Sequence, residues 1–254
     1  MTTETPVRAP FIDGDPLTLR IQLGACRLRL APGADEPWVV GTYTDPTDDN
    51  PVRLEVGERR LAIDQQRSVG GTLGLFKGAP TCELRLGTAR PYRLELVTGG
   101  SDVDLDLGGV PLLGLDVKAG AGKLRVRADR PNPVEADEVT FRMGAGALET
   151  AGLGNLAAAR LEAESGAASL LLDLTGELRR HLDVRVSAGM SSVKLVVPAD
   201  RPVRVSLDAT LGGTDLGDGF RTADGAIRTL PEGDPVIDAR ATVALGGLQL
   251  RTAG

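Results

Sequence analysis

A glycine set in a fixed frame of apolar residues recurs along this sequence, and it constrains the fold more than any other feature. Around Gly189 the frame reads apolar-x-apolar-x-x-Gly-x-x-x-apolar-x-apolar, filled by Val184, Val186, Val193 and Leu195. With a few imperfect slots it fits at nine glycines: Gly24, Gly78, Gly99, Gly120, Gly144, Gly166, Gly189, Gly212 and Gly246. The steps from Gly78 to Gly212 are 21, 21, 24, 22, 23 and 23 residues, a spacing typical of repeat architectures.

The frame has a direct physical interpretation. Alternating apolar positions on both sides of each glycine indicate half-buried strands, and the glycine itself supplies a corner with a positive φ or a close backbone approach. One such unit cannot bury its apolar face alone, so units must stack at about 4.8 Å per rung. We therefore predict an all-β fold, a single β-solenoid over residues 1–254 with about nine strand–Gly-turn–strand units. A β-sandwich is the alternative, but it has no reason to keep one glycine in one frame.

Three segments interrupt the repeat. We expect residues 1–16 to form a flexible tail, because they are polar and do not fit the frame. Residues 31–72 contain WVVGTY, a turn rich in Asp, Pro and Thr, and two further strand-like runs, which predicts an inserted β-meander. Residues 217–238, with Pro231 and Pro235, are expected to form a loop before the last strand pair. The meander and the loop would cap stack ends that otherwise expose unpaired strand edges.

One outward position in each unit carries a mixed set of side chains. In chain order these residues are Arg29, Glu83, Asp104, Arg125, Glu149, Leu171 and Lys194. The alternation of sign from Asp104 to Arg125 to Glu149 permits a cross-strand ladder, in which each pair is worth only about 0.2–1 kcal/mol. A solvated charged face without pairing is an equal alternative.

Composition excludes several classes of function. Aromatic residues make up 3% of the chain, and its formal charge of −6 is spread over interspersed acids and bases. A nucleic-acid partner is therefore not expected, since neither a basic patch nor a stacking platform is present. No apolar run approaches the roughly 18 residues of a membrane span, so no direct membrane insertion is expected. The start of the sequence lacks the pattern of a signal peptide, and Cys26 and Cys82 are expected to be reduced buried thiols, which together favour a cytoplasmic location.

Three segments resemble a known family. They are GACRLRLAPGA at residues 24–34, VRLEVGERRLAI at 52–63 and DLTGELRRHLDVRVSAGMSSVKLVVPADRPVRV at 173–205. The sequence resembles the toast-rack β-solenoids, which include the C-terminal domains of LiaF-like cell-envelope stress regulators. That resemblance implies a solenoid fold and no catalytic residues. LiaF-like proteins carry transmembrane helices and restrain a sensor kinase; no such helix is expected here, so anchoring is not carried over.

Four short motifs invite a chemical interpretation, and none has the context that its chemistry needs. The single histidine, His181, could act as a catalytic base only beside a nucleophile, and the sequence contains no nucleophile motif. Ser191 and Lys194 spell S-x-x-K on a turn and a strand, where the motif requires a helix start. Residues 120–123 read Gly-Ala-Gly-Lys, but no Ser or Thr follows the lysine. The sequence therefore predicts no catalytic residue, no cofactor site and no metal site.

The fourth motif is acidic. Asp102, Asp104 and Asp106 lie in GGSDVDLDLGG, which superficially resembles a calcium-binding β-roll repeat. True rolls repeat every nine residues, whereas this spacing occurs once, so we interpret the three carboxylates as the outward row of one strand. Whether the row binds calcium stays open at this point.

The functional hypotheses follow from a repetitive surface without catalytic chemistry. The first is a non-catalytic protein-binding module, with a membrane sensor kinase or an envelope protein as partner, located in the cytoplasm and peripheral to the membrane through that partner. The second is a scaffold that self-associates end to end like a bactofilin polymer. The third is a carbohydrate-active enzyme, because some enzymes also use β-helices.

Overall fold

The computed structural model describes residues 2–33, 35–47, 49–66, 78–223, 226–234 and 236–253. Within these ranges nineteen strands form one sheet, with a short 3-10 helix at Leu153–Leu156. The strands are β1 (Thr3–Ala9), β2 (Leu17–Leu23), β3 (Arg27–Pro32), β4 (Val39–Asp45), β5 (Val52–Val56), β6 (Arg60–Gln65), β7 (Thr81–Leu86), β8 (Tyr92–Asp106), β9 (Leu112–Arg127), β10 (Ala136–Ala151), β11 (Ala158–Asp173), β12 (Leu182–Met190), β13 (Ser192–Pro198), β14 (Val203–Leu211), β15 (Thr214–Leu216), β16 (Phe220–Ala223), β17 (Ala226–Thr229), β18 (Ile237–Leu245) and β19 (Leu248–Ala253). No helix in these ranges is long and apolar enough to cross a bilayer.

Each predicted unit is one rung of a parallel stack. Strands β8, β9, β10 and β11 each hold a complete unit, and elsewhere the unit divides into two strands at the corner, as in β12 and β13. Neighbouring rungs pair in parallel and in register, so that Leu94 lies beside Leu115, and Val103 beside Leu124. The predicted all-β solenoid is confirmed, and about nine rungs lie within the described residues.

The spatial order of the rungs differs from the chain order at both ends. At the N-terminal end β2 lies between β6 and β8, and β3 lies between β7 and β8, so the second rung in sequence is the outermost. At the C-terminal end β18 lies between β12 and β14, so the last strand pair is inserted one rung inward. Each end of the chain thus folds back into the stack.

This order corrects the assignment of one repeat unit. The frame around Gly78 assigns its first two inward slots to Leu73 and Leu75, which lie outside the described residues. In the structure, Leu61 and Ile63 of β6 lie beside the inward residues of β2. The segment counted as part of an inserted meander therefore supplies half of a rung.

The three irregular segments also differ from expectation. The expected flexible tail at residues 1–16 contains β1, which pairs antiparallel with β4. Within residues 31–72, β4 and β5 are antiparallel strands that cover the outermost rung, whereas β6 belongs to it. The expected loop at residues 217–238 contains the β16–β17 hairpin, and β17 pairs with the start of β14. The common physical reason is that a stack end exposes unpaired backbone groups, which nearby chain satisfies by adding antiparallel strands.

The inward rows form one continuous aliphatic core. Leu94, Leu96, Val103 and Leu105 of β8 are at most 1% exposed, and the corresponding slots of the neighbouring rungs are equally buried. Rare aromatic side chains concentrate at the N-terminal end of this core. The rings of Trp38 and Phe11 stack with centroids 5.5 Å apart, and Trp38 meets Tyr92 edge-on at 5.6 Å.

The two cysteines are free and buried in the same N-terminal part of the core, as predicted. Burial raises the pKa of the Cys26 thiol, opposed by a hydrogen bond to Ser101. Burial also raises the pKa of Cys82 to about 12. Both thiols therefore remain protonated at neutral pH and act as small apolar groups.

The register predicts which substitutions the core rejects. Val126→Asp and Leu195→Asp each place a carboxylate at a position that is 0% exposed. Because a buried charge without a partner is strongly unfavourable, each should lower the free energy of unfolding by at least about 4 kcal/mol. Chemical denaturation followed by circular dichroism measures this loss. Lys194→Asp, on the exposed neighbour of Leu195, is the matched control and should change stability by less than about 0.5 kcal/mol; equal stability of all three variants would show that the register is wrong.

The buried thiol predicts a pH dependence of stability. Below pH 9, the ordinary pKa of a thiol, Cys82 is protonated in both the folded and the unfolded chain, and its full contribution is present. Between that value and the folded-state pKa of about 12, only the unfolded chain ionises, so the stability falls as pH rises. Urea unfolding from pH 8 to pH 11 should give a steeper loss for the native chain than for Cys82→Ala. Parallel curves for the two proteins would contradict the assignment.

Candidate interaction surfaces

The outward charges of the second half-rungs form a ladder whose sign alternates in space. The register places Arg29 between Glu83 and Asp104, and Arg125 between Asp104 and Glu149. Read in stacking order, the five residues therefore alternate between negative and positive. Arg29 Nη1 lies 3.9 Å from Glu83 Oε1, and Arg125 Nε lies 3.6 Å from Glu149 Oε2. The ladder is thus formed, and its alternation is complete only in the spatial order.

The acidic row of β8 is part of the same ladder. Asp102, Asp104 and Asp106 point outward, and their register partners in the adjacent rungs are all basic: Arg27, Arg29, Lys123, Arg125 and Arg127. The Arg127 guanidinium lies 3.5 Å from Asp104. Within the described part of the chain, no three His, Cys, Asp or Glu side chains are grouped to hold a metal ion. Basic side chains of the adjacent rungs thus lie beside every carboxylate of this row.

A shallow groove of about 560 Å³ runs along the stack at the corner between the half-rungs. We call it the glycine groove. Its floor consists of the corner glycines, and its wall consists of the outward side chains two residues before them. The floor and wall of the central rungs are formed by Gly120, Gly144, Gly166, Lys118, Arg142 and Glu164.

Close contact between rungs explains why glycine occupies the corner. A Cβ on Gly144 would lie 2.3 Å from the carbonyl oxygen of Gly120, and a Cβ on Gly166 would lie 2.8 Å from that of Gly144. A Cβ on Gly189 would likewise lie 2.6 Å from the oxygen of Gly166. None of these three glycines has a φ in the left-handed region. Of the two roles that the sequence left open, close approach is therefore the one that applies to these three glycines, whereas Gly78 and Gly246 of the same frame have a positive φ.

The groove wall carries balanced charge. Arg142 Nη1 lies 3.1 Å from Asp116 Oδ1, and its Nε lies 3.4 Å from Glu164 Oε2. Lys118 Nζ lies 3.2 Å from the second oxygen of Asp116. Because exposed ion pairs of this kind contribute only about 0–1 kcal/mol each, a ligand can replace them at small cost. The wall thus offers donors and acceptors of both signs to a polar ligand.

One buried hydroxyl faces the groove without a partner. Thr98 is 5% exposed and lines the groove at its N-terminal end, and its Oγ1 finds no hydrogen-bond partner among the described residues. A buried hydroxyl in this state costs free energy.

A second surface lies at the C-terminal end of the stack, and it is apolar. Met190, Leu245 and Leu211 are register neighbours on three successive rungs. They are 66%, 50% and 65% exposed, respectively. We call these three residues the corner column. Exposed apolar side chains in contact with one another indicate an interaction surface more than scattered ones do.

The structure does not bring the sequence-selected chemical motifs together. His181 lies exposed just before β12. Ser191 is buried, with its Oγ 2.9 Å from Ser165 Oγ, whereas Lys194 is on the exposed face of β13. Residues 120–123 lie inside the continuous strand β9. The glycine groove and the corner column were not identified from the sequence.

The groove glycines predict a stability effect with a matched control. Gly144→Ala should lower the free energy of unfolding by about 1–3 kcal/mol, because the added methyl group collides with the rung beside it. Gly100→Ala is the control, since a Cβ there would meet nothing within 4 Å, and its effect should stay below about 0.5 kcal/mol. Thermal and chemical denaturation of both variants measure the difference. A loss of the same size at both positions would contradict the close-approach explanation.

Comparison with solved structures supports the fold. The structure resembles the crystal structure of a candidate cell adhesion protein from Clostridium sporogenes, with a TM-score of 0.52 and 12% identity over 100% of both chains. A candidate adhesin from Bacteroides fragilis aligns with a TM-score of 0.40 and 11% identity, over 98% of this chain and 97% of that one. At 12% identity, the likeness to the clostridial protein concerns the fold alone.

Sequence comparison identifies the family. No curated protein is significantly similar in sequence to this chain. Residues 12–151 match the family model Toast_rack_N, the N-terminal domain of toast_rack, DUF2154. The match contains the segments at residues 24–34 and 52–63 that carry the resemblance noted above. Because it covers more than half of a chain that folds as the predicted solenoid, the protein belongs to the Toast_rack_N family.

Proposed function

We propose that this protein is a non-catalytic β-solenoid module whose glycine groove binds a polar segment of a protein partner in bacterial envelope-stress signalling. The observation that carries the proposal is the groove itself, with exposed ion pairs along its wall and the unpartnered Thr98 hydroxyl at one end. A polypeptide supplies both kinds of group that this surface can use, since its backbone offers donors and acceptors and its side chains offer charge.

Other ligand classes fit the groove less well. The wall pairs Lys118 and Arg142 with Asp116 and Glu164, so its positive charge is already balanced. A nucleic acid requires an excess of positive charge. A carbohydrate-active enzyme would place acids or bases beside a sugar-stacking aromatic, and the groove is lined by none of the described aromatic side chains.

The resemblance to LiaF-like proteins supports the proposed biological setting. LiaF-like members of the wider toast-rack group restrain a sensor kinase, so a membrane sensor kinase or another envelope protein is the proposed partner. We place the protein in the cytoplasm, held at the membrane through that partner. Two free, buried thiols are compatible with a reducing compartment, where structural disulfides are rare.

A self-associating scaffold is the second candidate, and the exposed corner column is the observation that favours it. The two ends of the stack differ, however. Strands β1, β4 and β5 cover the N-terminal rung with antiparallel pairing, whereas the C-terminal end keeps exposed leucines. An open polymer of the bactofilin type needs two complementary ends, so contact between like ends fits this asymmetry better.

Site-specific cross-linking in the native host tests the proposed function. A photo-reactive amino acid replaces Ser187, which lines the groove, and captured proteins are identified by mass spectrometry. Arg142→Ala should reduce capture at least about tenfold, as expected for an arginine at the centre of an interface. Arg125→Ala is the matched control, because it removes an exposed arginine with one ion pair on the other half-rung.

Each outcome of that experiment decides the proposal. Capture that depends on Arg142 but not on Arg125 supports it. Capture that is equal in both variants, with circular dichroism spectra unchanged, would mean that the groove is not the binding surface. Failure to capture any protein from position 187 in the native host would likewise overturn the proposal.

A further inference from the structure

The last rung of the stack is only half covered. Strand β14 pairs along its whole length with β18 on one side. On its other side β17 pairs with it only at Arg204 and Val205. No described strand pairs with residues 206–211 on that side, and we call this segment the open edge. It presents unpaired backbone groups of the kind that recruit another strand.

The directions of the backbone groups in the open edge can be assigned. The Val203 backbone N–H, at the start of β14, donates a hydrogen bond to Thr229 Oγ1 on the β17 side. Because successive residues of a strand direct their N–H and C=O groups to opposite sides, and the register with β18 is continuous from Val203 to Ala209, Leu207 and Ala209 direct theirs at the open side. A strand that joins here must bond to these two residues.

The open edge has apolar side chains at the positions whose equivalents in the neighbouring rung are buried. Leu207 and Ala209 continue the inward rows of Ala241 and Val243, which are 1% and 0% exposed. Neither Leu207 nor Ala209 is itself buried. Leu211 ends the strand at 65% exposure and joins the corner column. The edge therefore offers apolar contact together with hydrogen bonds.

Residues 207–211 read Leu-Asp-Ala-Thr-Leu, and this order is nearly symmetric about Ala209. We infer that a second copy of this chain binds here, with the two open edges paired antiparallel about a two-fold axis at Ala209. In this register Leu207 meets the partner's Leu211, and Asp208 lies opposite the partner's Thr210 in a non-hydrogen-bonded pair. The two Ala209 residues form the central hydrogen-bonded pair.

Antiparallel pairs with the two-fold axis at a neighbouring position would be less stable. An axis at Asp208 would place two carboxylates opposite each other, which is destabilising. An axis at Thr210 would place Leu207 opposite a glycine, Gly213, and lose the leucine contact. Registers centred between residues would turn backbone groups away from each other, because only alternate residues direct theirs at the open side. Self-pairing about Ala209 thus matches backbone direction, apolar contact and charge at once.

Self-pairing also explains where large apolar residues occur at the corner. In earlier rungs the residue after the corner glycine is small, as in Ala145 and Ala167. At the same register position the last three rungs instead have one methionine and two leucines, which form the corner column. The partner strand contacts this column at Leu211. A short edge with a few apolar side chains forms a small interface, so we expect reversible dimerisation with a dissociation constant on the order of 10 µM.

Sedimentation of the full chain from about 1 to 500 µM tests this inference. We expect a monomer–dimer equilibrium that Leu211→Lys weakens at least about tenfold. Leu230→Lys is the matched control, since Leu230 is 60% exposed but lies near the other end of β14, beyond the open edge. It should leave the equilibrium unchanged, and both variants should keep the native circular dichroism spectrum.

A cross-link tests the register directly. Ala209→Cys places two thiols across the two-fold axis in the central hydrogen-bonded pair, where the Cα atoms lie about 5.5 Å apart, a separation that a disulfide can span. Mild oxidation should give a covalent dimer for Ala209→Cys but not for Leu230→Cys. A monomer at 500 µM, filaments in place of a dimer, a dimer insensitive to Leu211→Lys, or no cross-link at position 209 would each overturn the inference. Because none of these measurements involves the groove, failure here is separable from failure of the proposed partner binding.

Discussion

Backbone-to-backbone contact at the corners of the central rungs is the constraint on which the rest of the structure depends. A Cβ on Gly144 would lie 2.3 Å from the oxygen of Gly120, so the corner allows no side chain and the rungs stack without offset. Stacking without offset places every inward residue above its equivalent, which makes the aliphatic core continuous. It also places outward charges in straight rows and leaves the glycine groove where side chains are missing. Core, ladder and groove are therefore consequences of one contact.

The same contact explains which parts of the fold were predictable. Between Gly99 and Gly189 each unit is followed in sequence by its spatial neighbour, so a frame read along the chain predicts the stack directly. At the ends this equivalence fails, because the frame encodes which residues face inward but not which rung lies beside which. Leu61 and Ile63 satisfy the inward pattern, and only their pairing with β2 shows that they belong to the outermost rung. A signal for the true order existed in the charges, since Glu83, Arg29 and Asp104 alternate in sign only when the second rung is outermost.

The candidate surfaces were harder to predict than the core, for a physical reason. A groove floored by glycine is defined by missing side chains, and its wall is built from common charged residues whose pairing depends on register. Arg142 gains its role from Asp116 and Glu164, which are 26 and 22 residues away in sequence. The unpaired hydroxyl of Thr98 could not be predicted for a similar reason. A threonine before a corner glycine is common, and only the structure shows that this hydroxyl is buried without a partner among the described residues.

A stacked solenoid divides its binding possibilities between its sides and its ends. Along the sides every rung already hydrogen-bonds to two neighbours, so a ligand can contact only side chains and must compete with weak ion pairs such as those of Arg142. At the ends the backbone itself is available, and a strand can bind there through main-chain hydrogen bonds. The chain removes this option at its N-terminal end with β1, β4 and β5, and at the start of β14 with β17. Residues 206–211 are the stretch of the last rung's first strand that it leaves unpaired among the described residues, and within them residues 207–211 are nearly symmetric, with a leucine at each end. A sequence that covers the start of β14 and keeps this stretch open, with leucines at positions 207 and 211, has the properties of an interface rather than of an unfinished cap.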